Sequence, residues 1–131
     1  MSERPTAPTA SRGRLVRSFG YAFRGIGVMI RTQANARIHA VATMLAVAAG
    51  FWFGISRGEW CAVITAIGLV WTAEGLNTAL EAVVDLASPE QHPLAGRAKD
   101  VAASAVLCAA IAALAIGVLI FGPRLWVLVV K

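Results

Sequence analysis

Three apolar runs, residues 38–55, 60–86 and 101–122, decide what this chain can fold into. The first and third contain no Asp, Glu, Lys or Arg, and neither does the stretch 60–73 that opens the second. A membrane core ~30 Å thick is crossed by a helix of ~20 apolar residues. A chain entering lipid must satisfy its backbone hydrogen bonds internally, and a helix does so within one segment. Hydrophobic residues make up 58% of the 131 and charged ones 15%, against ~45–50% and ~25% in soluble domains. A soluble domain of this size could not bury so much apolar side chain. The fold class that follows is an all-α membrane protein with three transmembrane helices.

The segments between these runs complete the outline. Residues 1–12 are rich in Pro, Ser and Thr, and a disordered tail is expected. Residues 13–36 form a fourth helix. On a wheel of ~100° per residue, Leu15, Phe19, Ala22, Phe23, Ile26 and Ile30 fall on one side, with Arg17, Arg24 and Arg31 opposite. That pattern predicts an amphipathic helix lying in the membrane surface. SRGE at 56–59 reads as a tight turn, and 87–98, with Pro89, Pro93 and Gly96, as a loop. Gly122-Pro123 is expected to end the third span. The first forty residues hold no uninterrupted apolar stretch of signal-peptide type, so insertion is left to the spans themselves.

Charge orients the spans. The net charge is +5, and Arg4, Arg12, Arg14, Arg17, Arg24, Arg31 and Arg37 all precede the first long run or stand at its start. With Arg97 and Lys99 they place nine cations on one side of the membrane, against Arg57, Arg124 and Lys131 on the other. The positive-inside rule assigns the first side to the cytoplasm. A basic arm suits anionic lipid better than nucleic acid, because no second basic face follows it. Cys61 and Cys108 sit inside apolar runs and read as small buried hydrophobes, with no disulfide or metal pairing. His39 reads as interfacial, and neither it nor His92 has metal-ligand spacing around it.

The second run breaks its own pattern at EGLNTALEAVVD, 74–85. Glu74, Asn77, Thr78, Glu81 and Asp85 share a helical face about 100° wide. A charge at mid-membrane costs ~2.5–3.5 kcal/mol even on the lenient insertion scale, and such residues face a bundle interior or wet cavity. The alternative is a polar stripe that only joins helices. Depth separates the carboxylates: at ~1.5 Å per residue, Glu81 lies ~10 Å nearer the cytoplasm than Glu74, and Asp85 ~6 Å beyond that. This ladder suits a site where a water-soluble reagent meets a lipid-borne group. Asp100, just before the third run, reads equally well as a helix cap.

The two-part signature Glu74-Gly-Leu-Asn77-Thr-Ala-Leu-Glu81-Ala-Val-Val-Asp85 and His92-Pro-Leu-Ala-Gly-Arg-Ala-Lys99-Asp100 resembles the prokaryotic diacylglycerol kinase family, small membrane enzymes that include the undecaprenol kinases. Gly20-Tyr21-Ala-Phe-Arg24-Gly25 and Asn35-Ala-Arg37-Ile-His39 are similar too, so the resemblance covers about residues 13–122. It implies a homotrimer in the bacterial inner membrane, multi-pass, with the amino terminus and active site cytoplasmic. It implies transfer of the γ-phosphoryl of ATP, with Mg²⁺, to the primary hydroxyl of diacylglycerol or undecaprenol. Glu74 would be the catalytic base, Glu81 the metal ligand and Asn77 its support. Arg14, Tyr21, Glu81, Asp85, Glu90, His92, Lys99 and Asp100 would hold the nucleotide. Some members carry a Glu as second metal ligand where this chain has Gln33, whose carbonyl would be an uncharged ligand to Mg²⁺; that departure sets the second-metal role in question, not the fold. Spacing alone leaves Glu74 and Glu81 interchangeable, and depth favours this assignment. The competing readings are a small oligomeric proton- or cation-coupled transporter, and an adaptor that uses the basic arm. A transporter would be expected to put its carboxylates at the midplane.

Overall fold

A computed structural model describes residues 12–90 and 92–130. The tail expected to be disordered lies outside them, except for Arg12. Four helices follow in order: α1 Arg12–Thr32, α2 Ala34–Phe53, α3 Arg57–Ala87 and α4 Pro93–Val129. The last three are each long and apolar enough to cross a membrane.

Helix boundaries depart from the sequence reading at four places, each for a local reason. α1 stops at Thr32 rather than 36, because Gln33 is extended at φ −104°, ψ 121° and the chain restarts as α2. Residues 56–59 open α3 rather than forming a turn. Ser56 and Glu59 make a capping box, in which the Glu59 amide donates to Ser56 Oγ and the Ser56 amide to Glu59 Oε2 at 2.8 Å. The turn itself is Gly54, whose φ of +57° caps α2 in the left-handed conformation glycine adopts without strain.

The loop expected over 87–98 shrinks to 88–92. Pro93 takes the first position of α4, where its missing N–H costs nothing, and His92 caps the helix by accepting from the Leu94 amide through Nδ1 at 3.1 Å. Asp100 therefore lies two turns inside α4 and is not its cap. Nor does Gly122-Pro123 end α4, which continues to Val129. An internal proline removes one backbone hydrogen bond. Here the next residue, Arg124, donates from its side chain to the Ile120 carbonyl and binds Glu59 through Nη1 at 2.9 Å and Nη2 at 3.1 Å. That ion pair ties the start of α3 to the end of α4.

α3 and α4 run antiparallel and form the largest interface, while α2 packs on α3 and α1 rests on both. The core is thin: Ile55, Val63 and Ile120 are buried against Phe53, Trp60, Ile67 and Phe121. Gly50 lets Trp60 close over α2, since a Cβ there would meet the ring at 2.7 Å. Farther along, Trp71 Nε1 donates to Thr43 Oγ1 at 3.0 Å, joining α3 to α2. Most large apolar side chains point outward, among them Leu69, Leu76, Leu107, Leu114 and Leu119. Cys61 and Cys108 are exposed free thiols, not buried ones as expected. In lipid an outward apolar residue loses nothing, so position within an apolar run does not report burial.

Candidate active site

The buried side of α3 reads Val63, Ala66, Val70, Glu74, Asn77, one stripe at steps of three and four. The stripe is apolar for three residues and then turns polar without leaving the interior. Glu74 is 1% exposed and Asn77 6%. Neither oxygen of Glu74 has a hydrogen-bond partner, and neither does Asn77 Oδ1. Only the backbone of Glu74 is engaged: its carbonyl accepts from Thr78 Oγ1 at 2.8 Å. Leaving such groups unpaired in an apolar interior costs several kcal/mol. Among the described residues no side chain or backbone group reaches either oxygen of Glu74.

About two turns beyond Glu74, Glu81 is half-buried and each of its oxygens accepts one hydrogen bond. Asn77 Nδ2 donates to its Oε1 at 3.1 Å, and Gln33 Nε2 to its Oε2 at 2.9 Å. The break between α1 and α2 brings Gln33 to this point. A cavity of about 260 Å³ lies over the group, lined by Gln33, Asn35, His39, Asn77, Glu81 and Val106. A second, apolar cavity of about 260 Å³ between α2, α3 and α4 shares His39 and Ala110 with it. His39 thus stands where a polar and an apolar chamber adjoin.

At the far end of the ridge Asp85 is exposed and forms an ion pair with Lys99. Both line a cavity of about 470 Å³ with Val84, Ser88, Glu90 and His92. Four of the nucleotide-site residues named from the sequence are therefore together. Asp100 is exposed and does not line this cavity. Arg14 and Tyr21 lie on α1 outside it, with the Arg24 guanidinium 5.7 Å from the centre of the Tyr21 ring. Burial within the chain falls from Glu74, buried, through Glu81, half-buried, to Asp85, exposed.

The residues fit Mg²⁺ to a limited degree. Among the described residues no group of three His, Cys, Asp or Glu could hold a metal ion. Glu81 supplies one carboxylate, with the amide oxygen of Asn77 still unpartnered beside it. Mg²⁺ accepts one or two carboxylates and keeps several waters, so the set suits an ion that arrives on phosphates better than one caged by protein. Two contacts had no local signal in the sequence: Gln33 reaches Glu81 across 48 residues and Arg124 reaches Glu59 across 65.

The chain is similar to known proteins over most of its length. The model of the family described as prokaryotic diacylglycerol kinase matches residues 20–121. The undecaprenol kinase of Bacillus subtilis is 43% identical over 112 residues, covering 86% of this chain and 91% of that protein. The diacylglycerol kinase of Escherichia coli K12 is 38% identical over 100 residues, covering 76% and 82%. A Synechocystis diacylglycerol kinase is 40% identical over 117 residues, covering 88% and 67%. The acidic ridge, the paired Asp85 and Lys99 and this extent of likeness lead to one conclusion: the chain belongs to the prokaryotic diacylglycerol kinase family and is a membrane lipid kinase.

Proposed function

We propose that this chain moves the γ-phosphoryl of ATP onto the primary hydroxyl of diacylglycerol or undecaprenol at the cytoplasmic face of the bacterial inner membrane. The observation that carries the reading is Glu74, a buried carboxyl with both oxygens unpartnered on the ridge that leads to Glu81 and Asp85. A substrate hydroxyl is the donor this carboxylate lacks. Glu74 takes the hydroxyl proton as the lipid oxygen bonds to the γ-phosphorus. The bond from that phosphorus to the bridging oxygen breaks, and ADP leaves. Glu81 would hold Mg²⁺, with Asn77 steadying Glu81 through its amide; bound there, the ion would neutralise phosphate charge. Lys99, Asp85, Glu90 and His92 receive the nucleotide from the aqueous side, with Arg14, Tyr21 and Asp100 closing on it. Phosphoryl transfer asks for this kind of positioning and charge balance more than for covalent chemistry.

The apolar cavity beside His39 supports entry of a lipid tail close to the ridge. On α1, Leu15, Phe19, Phe23, Ile26 and Ile30 are all exposed, which supports a helix resting its apolar side on lipid. The protein works as a homotrimer, since one thin bundle offers few walls for a site. The transporter alternative has no support: the ridge ends in the ion-paired pocket of Asp85 and Lys99, and the relatives named above are kinases.

The test is transfer of label from γ-labelled MgATP in mixed micelles to diacylglycerol or undecaprenol, offered separately. Labelled phosphatidic acid or undecaprenyl phosphate is expected, and the faster of the two identifies the substrate. Label in neither lipid would refute the reading.

A further inference from the structure

We propose that Gln33 is a positioning residue that holds the Glu81 carboxylate by hydrogen bonding, so that this site is assembled before any divalent cation arrives. Gln33 is the single non-helical residue between α1 and α2, and its side chain makes no capping bond to either helix. Instead it crosses to α3 and donates through Nε2 to Glu81 Oε2 at 2.9 Å. Asn77 Nδ2 donates to the other oxygen at 3.1 Å. Two neutral amides thus grip one carboxylate from two separate elements, one N–H to each oxygen.

The chemistry of that grip decides what the site needs. A carboxylate offers about four lone-pair positions, and two are used here. The remaining two can still meet a cation, but none is required to hold the carboxylate in place. A second carboxylate at position 33 would reverse this. It would set two like charges within hydrogen-bonding distance in a half-buried pocket, an arrangement that favours a proton or a metal ion between them. No group of three His, Cys, Asp or Glu among the described residues offers a metal ion an alternative cage. The protein therefore retains little divalent metal alone, and the ion it uses enters with the nucleotide. The nucleotide clause rests on the kinase reading, whereas the metal-free assembly of the Gln33–Glu81 pair does not.

The experiment uses the full chain in detergent without nucleotide and Mn²⁺ as the probe. Free Mn²⁺ is read by electron paramagnetic resonance and thermal unfolding is followed in parallel. Wild type is expected to leave Mn²⁺ free and to keep its unfolding temperature as Mn²⁺ is added. Gln33→Glu is expected to bind Mn²⁺ at least ten times more tightly and to unfold at a higher temperature when Mn²⁺ is present. Gln33→Met, which removes the donor without adding charge, is expected to stay metal-free and to raise the KM for MgATP about tenfold with a smaller change in kcat. Wild type retaining Mn²⁺ as tightly as Gln33→Glu would overturn the proposal by making Gln33 a ligand, and so would an unchanged KM in Gln33→Met. Should Gln33→Glu fail to fold, the wild-type titration and Gln33→Met decide alone. Failure of the kinase reading shows separately, as an absence of lipid product in wild type with the Mn²⁺ results unaffected.

Discussion

Glu74→Gln is expected to lower kcat for lipid phosphorylation by about a thousandfold, within the range that loss of a general base produces. The substitution keeps the shape of a side chain that is 1% exposed and removes the carboxylate proposed to take the hydroxyl proton. Nucleotide binding should survive, since Glu81, Asp85 and Lys99 are untouched. Stability is expected to hold or rise, because the carboxyl removed has no hydrogen-bond partner. Steady-state kinetics and thermal unfolding of the same preparation check both halves. Wild-type kcat in this variant would remove Glu74 from the chemistry.

Glu81→Gln is expected to act differently. Its loss should lower kcat/KM for MgATP by about a hundredfold or more, the scale seen when one preorganised electrostatic contact is deleted. It removes the only carboxylate among the described residues that line its cavity. It also breaks the paired grip, since an amide oxygen replaces two acceptors and cannot serve both Gln33 and Asn77 as the carboxylate does. Much of the loss should appear in KM and shift with Mg²⁺ concentration, unlike that of Glu74→Gln. Measuring kcat and KM over a Mg²⁺ series separates the two roles. The same profile in both variants would mean that the two glutamates share one function.

The parts of the molecule legible in the sequence are those set by local periodicity. Three spans follow from uninterrupted apolar runs, and the ridge follows from five polar residues on one turn-by-turn face. The ridge's gradient of burial was not legible, because rise per residue gives position along the helix and not how closely the other helices cover it. Helix ends were less legible because each turns on one residue whose two readings compete. Ser56 begins a turn or a capping box, Pro93 sits in a loop or opens a helix, and Pro123 ends a helix or sits inside one. Gln33 as a partner of Glu81, and Arg124 as a partner of Glu59, were hidden for a different reason. They come from distant segments, and only the crossing of helices brings Gln33 to one and Arg124 to the other. The cysteines misled because a lipid-facing residue and a core residue look alike in an apolar run.

The central claim is that the α3 ridge works at the cytoplasmic membrane face, where ATP is present. The most direct measurement uses sealed membrane vesicles of defined sidedness, a lipid alcohol in the bilayer and labelled MgATP added only outside. Inside-out vesicles are expected to form labelled lipid at once, and right-side-out vesicles only after permeabilisation. Labelling of intact right-side-out vesicles, with inside-out ones silent, would contradict the account.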